Sequence, residues 1–122
     1  MTKRLERYQK IVEAFEDTAR ASPGQSLGIA ALSRIVGIAP RTLARAVRAL
    51  HDTTPSRYLR TVRLALARQA LLRPGAGTKT VTAVATQFGF SELGRFAGEY
   101  RRAFGESPSE TLRRSVVGQS SD

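Results

Sequence analysis

The sequence predicts an all-α protein of about seven helices, with two helix-turn-helix subdomains joined by a long linker helix. Three observations support this fold class. Apolar residues recur at steps of three and four along most of the chain, as on one face of a helix. Gly and Pro interrupt this pattern at short intervals, and no stretch of useful length alternates as a half-buried strand does.

The first unit is predicted as three helices. Apolar side chains spaced as in an amphipathic helix run over residues 3–19, and Ser22-Pro23-Gly24 ends that helix. A short helix over 28–36 is followed by the turn Gly37-Ile38-Ala39-Pro40, because Gly accepts a positive φ and Pro favours a first helical turn. The next helix runs to about His51.

Thr54-Pro55 is typical of an N-cap followed by Pro at the first helical position. It predicts a long helix from Pro55 to about residue 72 or 73, which Pro74-Gly75-Ala76-Gly77 ends. Apolar residues lie on more than one side of this helix, so we expect packing on both its flanks.

The second unit repeats the pattern. A helix over 81–88 is followed by the turn Gly89-Phe90-Ser91 and a helix over 92–104. Ser107 and Glu110, at capping-box spacing, predict a last short helix. We expect one domain over 1–122, with the first unit at 3–52, the linker helix at 55–73, the second unit at 78–115 and a tail at 116–122.

The two units align as an internal repeat. Gly37 matches Gly89 at an offset of 52, and beyond the turn the offset is 53, so that Leu43 matches Phe96. A helix-turn-helix needs a small residue in its first helix, a Gly in the turn and an apolar residue early in its second helix. Both units supply all three; the small residues are Ser33 and Ala85.

The charge indicates a polyanionic partner, with nucleic acid as the first candidate. The chain has 20 basic and 10 acidic residues and a net charge of +10. Seven arginines but only one acid, Asp52, fall between Arg41 and Arg68. No apolar run approaches the roughly 18 residues of a membrane-spanning helix. The absence of Cys excludes disulfides, thiolate metal sites and a cysteine nucleophile, and is compatible with the cytoplasm.

An enzyme is not expected. The single histidine, His51, has a carboxylate only at the adjacent Asp52, and adjacent residues on a helix point apart. The segment Gly75-Ala76-Gly77-Thr78-Lys79-Thr80 lacks the Gly-Lys-Ser/Thr adjacency and the preceding strand of a phosphate loop, so we interpret it as a linker. We therefore expect no catalytic residues, no metal site and no cofactor.

The sequence resembles the DNA-binding domain of the AraC/XylS-type transcriptional regulators from about Leu27 to Arg114. The first unit resembles the family's first recognition helix over Gly37–Arg45, and Pro55-Ser56-Arg57-Tyr58-Leu59 resembles its linker helix. The second unit is the more specific match, through Gly89-Phe90-Ser91, Arg95-Phe96, Tyr100-Arg101 and the segment Phe104-Gly105-Glu106-Ser107-Pro108-Ser109. The resemblance implies sequence-specific binding of double-stranded promoter DNA, RNA polymerase as a candidate partner, and a cytoplasmic location in bacteria.

Three departures from the family pattern touch this function. Ala39 stands where a Ser usually caps the recognition helix, a loss of about 1 kcal/mol. His51-Asp52 replaces an aromatic or aliphatic residue followed by Gly, and Asp tolerates the left-handed conformation better than most residues. The sensing or dimerisation domain that usually precedes this domain is expected to be absent from the chain, which is then a stand-alone member or a fragment of a longer regulator.

A helical wheel assigns the expected DNA contacts. Turning Leu43, Val47 and Leu50 inward exposes three arginines of the first recognition helix. Of these, Arg41 and Arg45 are the preferred base readers. Arg101 and Arg102 of the second unit are expected at phosphates. In the second unit, turning Phe96, Tyr100 and Ala103 inward leaves two glycines on the exposed face. We therefore expect the first unit to specify sequence and the second to clamp the duplex. The full set is Arg41, Thr42, Ala44, Arg45, Arg48, Leu93, Gly94, Arg95, Gly98, Arg101 and Arg102.

One alternative stays open at this point: a basic helical interaction module that binds RNA or an acidic protein. Readers of single-stranded RNA normally expose aromatic rings for stacking, whereas Phe88, Phe90, Phe96, Tyr100 and Phe104 are predicted at core positions here.

Overall fold

The computed structural model describes residues 2–22, 27–73, 75 and 79–120, with side chains described as far as residue 115. All regular structure in these residues is helical, which confirms the predicted fold class. The seven helices are α1 (Lys3–Ala21), α2 (Ile29–Val36), α3 (Pro40–His51), α4 (Pro55–Leu72), α5 (Val81–Gln87), α6 (Leu93–Phe104) and α7 (Pro108–Ser120).

The helix ends agree with the sequence prediction to within one or two residues, except at α7. This helix was predicted to be short, but it has 13 residues. No proline follows Pro108, and a helix that has formed its first turn gains one hydrogen bond for each residue added. The predicted breaks at Pro23-Gly24 and at Pro74, Ala76 and Gly77 lie outside the described residues.

The chain forms two compact units, residues 1–63 and 64–122. The core of the first unit brings together α1, α2 and α3, with Leu59 from the first half of α4. Each helix contributes the apolar face that its spacing predicts. The residues of this core are Ile11, Val12, Phe15, Ala19, Leu32, Leu43, Ala46, Val47 and Leu59.

The core of the second unit is built on aromatic rings. The centroids of Phe90 and Phe96 are 4.7 Å apart, and those of Tyr100 and Phe104 are 4.7 Å apart in an edge-to-face arrangement. The buried Tyr100 hydroxyl donates to Oγ1 of the buried Thr111 at 2.8 Å. Leu64, Ala67, Ala70 and Leu71 of α4 complete this core with Val84, Ala85 and Phe88.

The apolar residues of α4 are divided between these two cores. Leu59 is buried in the first, whereas Leu64 and Leu71 are buried in the second. One helix therefore contributes apolar residues to the cores of both units.

Backbone hydrogen bonds confirm the internal repeat at the turns. Gly37 and Gly89 have φ of 81° and 89°. The following amides, of Ile38 and Phe90, donate to Ser33 O at 3.0 Å and to Ala85 O at 2.9 Å. Each turn is thus a Schellman motif with the same bonds at an offset of 52.

The second offset is confirmed at the far end of the recognition helices. Asp52 (φ 51°) and Gly105 (φ 77°) are both left-handed C-caps, whose amides donate to Arg48 O and to Arg101 O respectively. These pairs are 53 residues apart, so the inserted residue lies between the turn and the end of α6. Asp52 fills a position that usually requires Gly, as predicted.

Candidate nucleic-acid interface

The start of α3 is set by the Gly37 turn and by Pro40. Pro40 has no amide hydrogen to leave unpaired and its φ suits the first helical turn, so the helix begins there. Ala39 has N-cap geometry, φ −62° and ψ 141°, but makes no side-chain cap bond. The structure thus agrees with the expectation that this cap is missing.

The face of α3 that points away from the core carries the arginines. Leu43 and Val47 are buried, and Arg41, Arg45 and Arg48 are exposed, as the helical wheel predicts. The other two predicted contact residues of this helix, Thr42 and Ala44, are half-buried.

The arginines of α3 differ in their partners. Arg48 forms an ion pair with Asp52 at 3.3 Å, and the Asp52 side chain is 95% exposed, so this pair is weak. Arg41 and Arg45 form no ion pair among the described residues. Their guanidinium groups are therefore available to a ligand without the loss of an internal contact.

A surface groove of about 560 Å³ lies between the first turns of α1 and the exposed face of α3. We call it the α1–α3 groove. It is lined by Arg4, Leu5, Tyr8, Arg41, Ala44, Arg45, Arg48 and Ala49.

The inward face of α6 corrects one detail of the wheel. Phe96 and Tyr100 are fully buried, as predicted, but Ala103 is exposed. Phe104 packs against the second core, as predicted. The apolar stripe of α6 therefore runs through Phe96, Tyr100 and Phe104, at steps of four.

The outward face of α6 has the same number of arginines as that of α3, but carboxylates neutralise two of them. Arg95 pairs with Glu99 at 3.2 Å, and Arg101 pairs with Glu110 at 3.1 Å. The exposed Arg102 has no ion pair within the part of the chain that the structure describes.

Glu110 also modifies the predicted capping box. Its amide donates to Ser107 Oγ at 3.1 Å, which is the expected N-cap bond, whereas its carboxylate accepts from Arg101. The reciprocal bond of the box is thus replaced by an ion pair on the exposed face of α6.

Two of the remaining predicted contacts on α6 are glycines. A Cβ added at Gly94 would meet nothing within 4 Å, and one at Gly98 would meet only Arg102 Nη1, at 3.7 Å. Neither has a positive φ. The fold therefore does not require glycine at either position, although glycine destabilises a helix interior by about 1 kcal/mol relative to alanine. The last predicted contact, Leu93, is 42% exposed at the start of α6.

Two arginines of the basic stretch between Arg41 and Arg68 make contacts within the fold. The Arg63 guanidinium donates to Leu27 O, and its burial lowers its pKa. Arg68 lies 5.0 Å from the Phe104 ring centroid and pairs with Glu106 at 3.5 Å. The positive charge available to a ligand is therefore smaller than the sequence count indicates.

His51 has a structural contact rather than a catalytic arrangement. Its exposed ring stacks on Tyr58 with centroids 4.4 Å apart, while Asp52 pairs with Arg48. The Tyr58 hydroxyl donates to Glu16; burial, together with that carboxylate, raises the pKa of Tyr58 to about 12. No group of three or more metal-ligating side chains occurs among the described residues.

Comparison with known proteins supports the helix-turn-helix fold. A family model described as a helix-turn-helix domain matches residues 32–114. The probable thc operon regulatory protein of Rhodococcus erythropolis is 42% identical over 103 residues, which are 84% of this chain and 31% of that protein. The XylDLEGF operon transcriptional activator 3 of Pseudomonas putida is 36% identical over 107 residues, 88% of this chain and 31% of that protein.

A solved AraC family regulator from Rhodopseudomonas palustris, described as probable, is 38% identical, with a TM-score of 0.72 over 87% of this chain and 97% of that chain. The chain belongs to the AraC-type helix-turn-helix family. A transcriptional regulator of Chromobacterium violaceum with an AraC-type DNA-binding domain superimposes with a TM-score of 0.76 at 26% identity, over 88% of this chain and 93% of that one. These findings confirm the resemblance that the sequence showed.

The AraC-type chain spans about a third of the length of the curated relatives that it matches. Its family is one of DNA-binding regulators. In the described ranges no helix is both long and apolar enough to cross a membrane. The aromatic rings at Phe88, Phe90, Phe96 and Tyr100 are buried, so they are not available for stacking on single-stranded RNA.

Proposed function

We propose that the chain binds double-stranded DNA sequence-specifically as a bacterial, cytoplasmic transcriptional regulator, with α3 reading bases and α6 mainly holding the backbone. The observation that carries this proposal is the exposed face of α3, where Arg41 and Arg45 are free of ion pairs among the described residues. A guanidinium fork matches O6 and N7 of guanine, and such a contact contributes about 1–3 kcal/mol of base discrimination.

The geometry of α6 supports the division of roles. Arg95 and Arg101 are engaged with Glu99 and Glu110, and glycine at two positions leaves backbone instead of side chains on the exposed face. Backbone and Arg102 are suited to close approach and to phosphate contact. Leu93, exposed at the helix start, is the residue of this face suited to a thymine methyl group.

Selection of bound sequences from a random duplex pool tests the proposal. We expect an enriched site with two contacted segments, about 10 bp apart, and more information in the segment bound by α3. A DNA footprint with variants of either helix assigns the segments. Equal information in both segments would contradict the division of roles.

A salt titration provides the second test. Binding that neutralises six or more phosphates gives a slope of log K against log salt steeper than about −5, at about −0.9 for each phosphate. An affinity independent of salt, or equal affinity for RNA and duplex DNA in competition, would contradict DNA binding itself.

RNA polymerase is included as a proposed partner because relatives are named as transcriptional activators. Transcription from a promoter that carries the selected site, with purified polymerase and with or without this chain, tests this part separately. Stimulation of transcription is expected, and DNA binding without stimulation would exclude RNA polymerase as a partner.

A further inference from the structure

The α1–α3 groove extends the basic surface beyond the recognition helix. Three of its arginines belong to α3, but the fourth, Arg4, belongs to the first turns of α1. None of the residues that line the groove is acidic. Arg4 is exposed and, like Arg41 and Arg45, forms no ion pair among the described residues. The groove therefore complements an anion on both of its walls.

The dimensions of a helix in DNA indicate which anion this is. An α-helix with its side chains is about 10–12 Å across, and the major groove is about 12 Å wide. A recognition helix therefore fills the groove, and whatever packs beside it faces the phosphates along the groove edge. α1 is packed beside α3, since Val12 and Phe15 share a core with Val47.

Tyr8 adds a hydrogen-bond donor to the same wall. Its ring is half-buried against the first core, which limits the positions that it can take. Its hydroxyl forms no hydrogen bond with any of the described residues. A phenol held in a groove beside an unpaired guanidinium is suited to a phosphate oxygen.

We propose that Arg4 and Tyr8 bind one phosphate of the DNA strand that borders the major groove occupied by α3. Arg4 supplies the charge and Tyr8 a hydrogen bond, while base recognition stays with α3. This inference rests on the proposed function. It adds an affinity-determining contact from α1 that carries no sequence information.

The test compares Arg4→Ala with Lys10→Ala on the duplex selected by the wild-type chain. Lys10 is an exposed basic residue of α1, and on a wheel of about 100° per residue it lies on the side opposite the groove. Both variants lose one charge, so the difference between them measures position. Binding is followed by fluorescence anisotropy between about 50 and 300 mM salt.

Loss of one phosphate contact reduces the salt slope by about 0.9 and weakens binding about fivefold at 0.15 M salt. We expect both effects for Arg4→Ala, with the base preferences unchanged. For Tyr8→Phe we expect a smaller loss of affinity and the salt slope of the wild type. Arg4→Lys is expected to restore the slope. Thermal melting of each variant should match that of the wild type, because the altered groups lie at the surface.

The outcomes separate the inference from the function on which it rests. If the wild-type chain selects no duplex, the proposed function fails and the inference fails with it. If the wild type binds its site but Arg4→Ala keeps the wild-type slope, or Lys10→Ala loses as much as Arg4→Ala, the inference alone is overturned. A change in base preference in Arg4→Ala would also overturn it, since a phosphate contact reads no base.

Discussion

Replacing the two glycines on the outward face of α6, the exposed Gly94 and the half-buried Gly98, by alanine should stabilise the fold and weaken DNA binding. Gly94 and Gly98 lie in a helix, and a methyl group at either position meets no atom closer than 3.7 Å. The helix therefore gains from the substitution, because alanine loses less conformational entropy on folding. The duplex is proposed to approach this same surface, and the methyl groups would occupy part of the space that it needs.

The magnitudes follow from the positions. Gly98 is in the helix interior, where alanine is favoured by about 0.8–1.0 kcal/mol, and Gly94 is in the first turn, where the gain is smaller. A gain of about 1 kcal/mol raises the melting midpoint of a domain of this size by about 4 °C. Overpacking a close contact costs about 1–3 kcal/mol, so DNA binding should weaken by about 5- to 150-fold.

Melting curves and anisotropy titrations of the double variant measure the two effects on the same protein. Ala103→Gly is the matched control, because Ala103 is exposed on the opposite side of α6. It should lower the melting midpoint and leave the affinity for DNA unchanged. A double variant that is more stable and binds DNA as tightly as the wild type would refute the close approach of α6 to the duplex.

Four other predictions concern single residues. Arg45→Ala should abolish the preference at one base pair, about 1–3 kcal/mol, in a competition series of single-base variants, and an equal loss on all sequences would contradict base reading. Thr111→Val should cost about 1–3 kcal/mol of unfolding free energy in denaturant, because the buried Tyr100 hydroxyl loses its partner at 2.8 Å; an unchanged midpoint would show that this bond contributes nothing. Ala39→Ser should add about 1 kcal/mol to the free energy of unfolding in denaturant, since the backbone already has N-cap geometry. An unchanged free energy would show that the new hydroxyl does not cap the helix amides. The hydrogen bond from Thr111 and the neighbouring arginines hold the pKa of Glu106 below its ordinary value of 4.5. Glu106→Gln should therefore lower the melting midpoint at pH 7, and the difference from wild type should narrow as the pH falls below 4.5. A difference in melting midpoint that persists below the folded-state pKa would exclude charge as the cause.

The turns and caps could be predicted from sequence because each depends on a few neighbouring residues. A glycine at 37 or 89 permits a left-handed residue whatever the rest of the chain does, and the Schellman bonds close within six residues. The inward positions of Leu43 and Phe96 follow from helical period alone. Ala103 shows the limit of this reasoning, because it lies near the edge of the apolar stripe and is exposed although the helical wheel turns it inward.

The roles of the arginines could not be predicted in the same way. Arg63 reaches the carbonyl of Leu27, 36 residues away, and Arg68 reaches Glu106. No local pattern distinguishes these side chains from the exposed ones of α3. Arg95 and Glu99 did carry a signal, because residues four apart on a helix are neighbours, and a search for such pairs would have found this one.

This difference bears directly on how the two recognition helices divide their work. Each presents three arginines, so composition makes them equal. The fold makes them unequal, because it places Glu99 and Glu110 beside two arginines of α6 and only the fully exposed Asp52 beside one of α3. An exposed ion pair contributes only about 0.2–1 kcal/mol, so these carboxylates do not prevent DNA contact. They do reduce the field that attracts the phosphates and engage donors that a base edge would need. A helix arranged in this way holds DNA through its backbone and its remaining charge, which leaves discrimination between sequences to α3.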